Sequence, residues 1–199
     1  MEKANDIWAL VLAAGESRRM GEPKLLLPYR GRTVIEAVLE SAAASRAGGT
    51  LVVLGGEADR IEEKVAGRAV ARTRNPNFAE GMLSSVQWGI RGLPGDVRAA
   101  VVLLGDQPWI AASTIDRVIG AFLEGKKGLV YPAFRGKGGH PLLVDLGRYR
   151  KEISRLDPSE GLRGLLRRHP GDVLRLEVET PEVLEDLDGP EDRRKLGRL

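Results

Sequence analysis

Two stretches of this 199-residue chain carry residue types that suit phosphate and metal chemistry. The first is Leu12-Ala13-Ala14-Gly15-Glu16-Ser17-Arg18-Arg19-Met20-Gly21-Glu22-Pro23-Lys24. Small residues at 13–15 let the main chain approach a ligand, and Gly15 and Gly21 permit turns that other residues resist. Exposed N–H groups in such a loop, here those of Ala13 to Ser17, cradle phosphate oxygens. Arg19 offers phosphate a planar fork and Lys24 a point charge. The second stretch is Leu103-Leu104-Gly105-Asp106-Gln107-Pro108. A carboxylate there can hold Mg²⁺, a hard cation that takes oxygen ligands and substrate phosphates. The plainer alternative is a turn aspartate that satisfies local backbone groups.

These segments need a scaffold, and the apolar pattern supplies one. Short apolar runs at Ile7–Ala14, Thr50–Leu54, Ala69–Thr73 and Ala99–Leu104 read as strands, and Ala99–Leu104 is apolar enough to lie centrally with both faces covered. Between them, Thr33–Ala47, Ala58–Ala66 and Gly81–Leu93 have helical periodicity. Thr33 and Glu36 have capping-box spacing, and Ser113 and Asp116 show it again at the head of a Ser113–Leu123 helix. Leu129–Phe134 and Pro141–Val144 read as strands joined by Arg-Gly-Lys-Gly-Gly, Arg148–Leu156 and Ser159–Arg168 as helices, Val173–Val178 as a last strand and Pro190–Leu196 as a terminal helix. The β-α-β-α-β-α-β order predicts a single α/β domain over residues 1–199 with a doubly wound, mostly parallel mixed sheet of about seven strands. Ligands of such sheets bind beyond the carboxyl ends of the strands, which nominates the segments holding Gly15 and Asp106.

Composition removes several classes of chemistry. There is no cysteine, so disulfides, thiolate metal sites and cysteine nucleophiles are excluded, and two histidines cannot build a multi-histidine metal site. A net charge of +3 is too small to argue for nucleic acid. No stretch is long enough to span a membrane and the N-terminus lacks a secretory pattern, so the expected location is the cytoplasm. The glycines at 15 and 21 are spaced wrongly for a P-loop, and the dinucleotide fingerprint Gly-x-Gly-x-x-Gly is absent.

Leu-Ala-Ala-Gly-x-Ser-x-Arg-Met-Gly-x-x-Lys resembles the signature of the nucleotidyltransferases related to molybdenum cofactor cytidylyl- and guanylyltransferases. The resemblance implies a three-layer α/β/α, Rossmann-like fold and transfer of a nucleoside monophosphate. It implies that Leu12, Ala13, Ala14, Gly15 and Ser17 bind nucleotide, that Arg19 and Lys24 act in catalysis, and that Asp106 is a Mg²⁺ ligand. Glu185-Asp-Leu-Asp188-Gly-Pro-Glu-Asp resembles the family's late Asp-x-Asp-Thr-Pro-Glu-Asp element, with Gly189 where Thr is frequent. Asp188 matches the second metal ligand, and it also suits the N-cap of a helix whose first residue is Pro190. Gly81, Ser84 and Ser85 match a nucleotide-contacting Gly-Met-x-Ser-Ser element, or they cap the helix that follows. Gly139, His140 and Pro141 match a Gly-His-Pro on the acceptor side, against the alternative of a flexible turn with a solvent-facing histidine. Arg163, Arg167 and Arg168 read as a solvated basic face, and Trp88 as packing.

The expected reaction is attack by an acceptor phosphate on the α-phosphorus of an NTP, with pyrophosphate leaving. Ala-Ala-Gly and Gly-Asp-Gln-Pro resemble the cytidylyl branch, which favours CTP over the GTP of the guanylyl branch. A molybdopterin-type acceptor and a molybdoenzyme that receives the product are implied by the resemblance alone. Two readings from other classes stand beside it: a nicotinamide-dependent oxidoreductase and a non-catalytic nucleotide-binding module.

Overall fold

The computed structural model describes residues 2–197. Strand β1 (Ala4–Ala13) is followed by a β2 (Pro28–Tyr29) and β3 (Arg32–Thr33) ribbon, helix α1 (Val34–Ala44), β4 (Ala47–Leu54), α2 (Ala58–Val65) and β5 (Ala71–Arg74). Helix α3 (Met82–Gly92), β6 (Ala99–Leu104), α4 (Ala112–Glu124), β7 (Leu129–Phe134), β8 (Lys137–Gly138) and β9 (Leu142–Asp145) come next. Helices α5 (Leu146–Ile153) and α6 (Gly161–Arg168), strand β10 (Val173–Glu177) and helix α7 (Arg193–Leu196) complete the order.

The main sheet runs β10-β7-β9-β6-β1-β4-β5, with β8 paired to β7. β1 lies parallel between β4 and β6, and β9 is antiparallel to both β6 and β7. The mixed, mostly parallel sheet and its helical flanks are the architecture read from the sequence. One core unites the α1, α2 and α4 side, through Val38, Ile61 and Ile119, with one face of the sheet. The other unites the α3, α5 and α6 side, through Val86, Ile153 and Leu165, with the opposite face. β6 and the second half of β1, residues 9–13, bury nearly every side chain because both faces are covered, which is why they read as continuous apolar runs rather than alternating ones. Among the described residues no helix is long and apolar enough to cross a membrane.

Two local expectations require correction. Gly48-Gly49 breaks the pattern in the sequence, yet it lies inside β4, which begins at Ala47 rather than Thr50. A Cβ on Gly49 would sit 2.5 Å from the Trp8 ring, and one on Gly48 would sit 2.4 Å from Asn5 Cα. The glycines therefore let β1 and its tryptophan close onto β4, and α1 ends early to make room. The second concerns Ser113 and Asp116: α4 starts at Ala112 with Ala111 as N-cap and no side-chain cap. Asp116 instead accepts a 2.6 Å hydrogen bond from the Arg46 N–H. The Thr33–Glu36 capping box does form, and its two 2.7–2.8 Å bonds from Thr33 hold the Glu36 carboxyl below its usual range.

Candidate active site

The loop after β1 is shaped by contacts at the carboxyl rim. Gly105 N–H donates to Leu12 O at 2.9 Å and Gly56 N–H to Ala14 O at 3.2 Å, which ties the ends of β6 and β4 to β1. A Cβ on Gly105 would lie 2.7 Å from Leu12 O, and one on Gly55 would lie 2.5 Å from Ala14 O, so these approaches require glycine. Ser17 takes a left-handed conformation, φ +54°. Its hydroxyl accepts from Lys24 N–H at 3.0 Å and its carbonyl from Met20 N–H at 2.9 Å, so the loop closes on itself. Ala13 is turned into the core, whereas Ala14, Gly15 and Ser17 border open space.

Lys24 leads a short 3₁₀ turn that aims its ammonium across the rim. Nζ donates to Asp106 at 2.5 Å and to Leu187 O at 2.6 Å, and lies 3.9 Å from Asp188. Arg19 reaches the other Asp188 oxygen at 3.2 Å. The four charged residues singled out in the sequence thus meet, although 82 residues separate Lys24 from Asp106 and 169 separate Arg19 from Asp188.

Asp188 is not a helix cap. Gly189 takes that position, and Asp192 accepts from the N–H groups of Asp188 at 2.8 Å and Gly189 at 3.1 Å. Its hydrogen bond with Lys195, helped by these backbone donors, pulls the Asp192 carboxyl down to about 2. The capping duty falls four residues downstream, which leaves the Asp188 carboxylate half-exposed and turned to the cations. An Arg193–Glu22 ion pair ties the terminal helix to the loop. Asp186 lies nearby, and burial, together with the negative charges of Asp188 and Asp106, raises its carboxyl above the usual range.

Asp106 and Asp188 are hard oxygen donors drawn to one cation, which is the chemistry a Mg²⁺ site requires. Among the described residues no cluster of three or more acidic or histidine side chains is arranged to hold a metal. Two carboxylates, with the remaining positions left to water and phosphate, is the usual protein share of a Mg²⁺ site.

Two cavities adjoin the cluster and a third lies beyond them. One of about 310 Å³ is bounded by Gly15, Ser17, Arg19, Lys24 and Asp188, the cationic part. A second of about 250 Å³ shares Ala14, Gly15 and Lys24 with it and continues past Leu12, Gly81, Met82 and Ser85. The third, about 620 Å³, lies beyond Met82 and Leu104 and is bordered by Gln107, Gly139, His140, Arg163 and Asp186.

Gly81 takes φ +106° at the N-cap of α3 and no side chain caps the helix. Ser84 turns inward, donating to Gly81 O at 2.9 Å and Asn77 O at 2.8 Å, and it does not border the cavities. Buried Asn75 holds both serines, at 3.0 Å for Ser84 and 3.1 Å for Ser85, and Ser85 faces the second cavity. Asn75 is a supporting residue with no signal of its own in the sequence. His140 is not solvent-facing. It is largely buried, and burial lowers its pKa, with Asp106 opposing and Arg163 reinforcing that shift. Pro141 is buried beside it and does not border the cavity. Of the three arginines read as a solvated face, Arg167 and Arg168 pair with Glu160, while Arg163 borders the third cavity. Trp88 packs as expected and also donates to Thr73 Oγ1 at 2.8 Å.

Known proteins are similar to this chain over nearly its whole length. The molybdenum cofactor cytidylyltransferase of Escherichia coli (strain K12) is 28% identical over 186 residues, spanning 92% of this chain and 91% of its own. The nicotine blue oxidoreductase of Paenarthrobacter nicotinovorans is 28% identical over 201 residues, 96% of each chain. A crystal structure of Rv0371c from Mycobacterium tuberculosis H37Rv superposes with a TM-score of 0.86 at 28% identity over 98% of each chain. A manganese complex of Rv0371c superposes at 0.81, with 29% identity over 96% of this chain and 97% of its own. The MobA-like NTP transferase domain matches residues 9–173, and the chain accordingly belongs to that family of nucleotidyltransferases.

Proposed function

We propose that the chain acts as one unit that transfers CMP from CTP to a phosphorylated, molybdopterin-type acceptor in the cytoplasm, releasing pyrophosphate with Mg²⁺ as cofactor. The observation that carries this reading is the Lys24 ammonium between Asp106 and Asp188, beside a loop of small residues and Arg19. The similarity to a cytidylyltransferase over nearly the whole chain supports the choice of base and acceptor.

In this reading the cationic cavity holds the triphosphate. An acceptor phosphate oxygen forms a bond to the α-phosphorus, the bond from that phosphorus to the β-phosphate bridging oxygen breaks, and pyrophosphate carries the electron pair away. Both reactants are anionic, so positioning and charge neutralisation dominate the rate. Lys24 and Arg19 hold the triphosphate and the departing pyrophosphate. The main-chain N–H groups of Ala13 to Ser17 supply fixed dipoles, and Gly81 and Ser85 border the nucleoside. Asp106 and Asp188 would hold Mg²⁺, which would supply Lewis-acid neutralisation of phosphate charge. The third cavity takes the acceptor, with Gly139, His140 and Arg163 on its border. His140 contacts the acceptor and no proton transfer is asked of it, because a phosphate needs no base to become a nucleophile.

The test is pyrophosphate release. The purified chain with Mg²⁺, CTP and a molybdopterin-type acceptor is expected to release pyrophosphate, and omission of any of the three is expected to stop it. Release with GTP alone would move the chain to the guanylyl branch. The relative named nicotine blue oxidoreductase favours a second reading, a nicotinamide-dependent oxidoreductase. That reading predicts a change in NAD(P)H fluorescence on mixing, whereas the transferase reading predicts none.

A further inference from the structure

Gln107 follows the proposed metal ligand and is 3% exposed. Its Nε2 donates to Glu185 O at 2.7 Å. That bond fixes which way the amide faces, since a flip would set oxygen against oxygen. Its Oε1 is then left buried with no hydrogen-bond partner among the described residues, and the Gln107 residue borders the third cavity. His140 borders the same cavity, and its Nδ1 is likewise buried without a partner among the described residues.

A buried acceptor left unpaired is costly, so it calls for a donor from a bound molecule. The rest of the wall narrows that molecule's chemistry. Val86, Val102, Leu142 and Leu166 offer apolar contact suited to the faces of a ring, and Arg163 offers a cation to an anionic group.

We propose that Gln107 is a specificity-determining residue for the acceptor, accepting through Oε1 a hydrogen bond from an N–H on a planar heterocycle seated in the third cavity. The proposal rests on the reading of that cavity as the acceptor pocket. A polar site of this kind discriminates mainly by rejecting ligands that leave its buried group unpaired. An analogue without N–H donors is therefore excluded more strongly than its shape alone requires.

The test uses two fluorescent probes and the full chain: pterin, which carries N–H donors, and 1,3-dimethyllumazine, a related ring without ring N–H donors. Wild type is expected to bind pterin about tenfold or more tightly than dimethyllumazine. In Gln107→Leu that preference is expected to fall to about the ratio set by the extra methyl groups alone, within about threefold of unity. Mg·CTP binding is expected to stay at the wild-type level in the same variant. A purely structural role for Gln107, anchoring Glu185, would weaken both probes together and leave their ratio unchanged. Gln107→Met, closer in shape, replaces the leucine variant if that variant does not fold. A preference retained in the variant, or absent from wild type, overturns the role of Gln107 while leaving the acceptor cavity standing. Failure of both probes to bind wild type that still binds Mg·CTP overturns the cavity reading and the proposal with it.

Discussion

Replacing Lys24 with methionine removes one charge while keeping most of the side chain's volume, so it tests the centre of the cluster. At 4 Å and an effective dielectric near 20, a unit pair attracts by about 4 kcal/mol. Lys24 and Asp106 are closer than that, at 2.5 Å, with side chains only 17% and 16% exposed, so part of the attraction is offset by their desolvation. A charged hydrogen bond of this kind retains about 1.5–3 kcal/mol. Lys24→Met also frees Leu187 O and leaves Asp106 and Asp188 without the ammonium between them. The net expectation is a loss of about 2 kcal/mol, or about 4–8 °C in Tm for a chain of this size. Turnover is expected to fall further than stability, by about 10²–10³-fold, because a preorganised cation at the triphosphate acts on the transition state. The assay pairs thermal unfolding with the rate of pyrophosphate release at saturating Mg·CTP. A folded Lys24→Met protein with turnover within about threefold of wild type would refute the role of Lys24.

Four further outcomes follow from the same geometry. Asp106→Ala is expected to lose about 10²-fold or more in pyrophosphate release with the fold intact, checked by circular dichroism. Gly139→Ala sets a Cβ 2.1 Å from Val183 O, so it is expected to cost about 2 kcal/mol or more and to weaken acceptor binding while Mg·CTP binding persists, as calorimetry would read. His140 has a folded-state pKa below its unfolded value, so the unfolded chain binds more protons and stability falls as pH drops below about 6.5; His140→Gln is expected to remove that part of the decline in urea titrations at pH 7 and pH 5. Asp192 is also depressed, to about 2, so its contribution is present above the usual carboxylate range and is lost as pH falls through about 2; Asp192→Asn is expected to lower Tm at pH 7 but not at pH 2.

The legible parts of the molecule are those where local pattern and tertiary role coincide. β6 and β1 from Ile7 onward announce themselves because two-sided burial demands apolar side chains at successive positions. Thr33 and Glu36 announce α1 because their partners are three residues apart. The β1 loop and Asp106 were nominated by the carboxyl-rim rule together with the resemblance. The illegible parts depend on distant partners. Gly48-Gly49 reads as a break until Trp8 is laid across it. Ser113 and Asp116 have cap spacing, but Arg46 claims the carboxylate from 70 residues away. Asp188 suited a cap by its place before Pro190, and only the fold reveals that Asp192 does that work. Gln107 and Asn75 carry no charge and no periodic signal. Their importance lies in a buried orphan oxygen and in a three-residue hydrogen-bond cluster. Arg163 looked like its neighbours until Glu160 took Arg167 and Arg168.

The central claim is that the rim cradles a magnesium-bound cytidine triphosphate, and thermal unfolding with CTP, GTP, ATP or UTP, each with and without Mg²⁺, tests it most directly. Ligand at about 100 times its Kd adds about 2.7 kcal/mol to the native state, or about 5–10 °C for a chain of this size. The account predicts that CTP with Mg²⁺ gives the largest rise and that Asp106→Ala abolishes it. Equal shifts from all four nucleotides, or a CTP shift indifferent to both Mg²⁺ and Asp106, would contradict it.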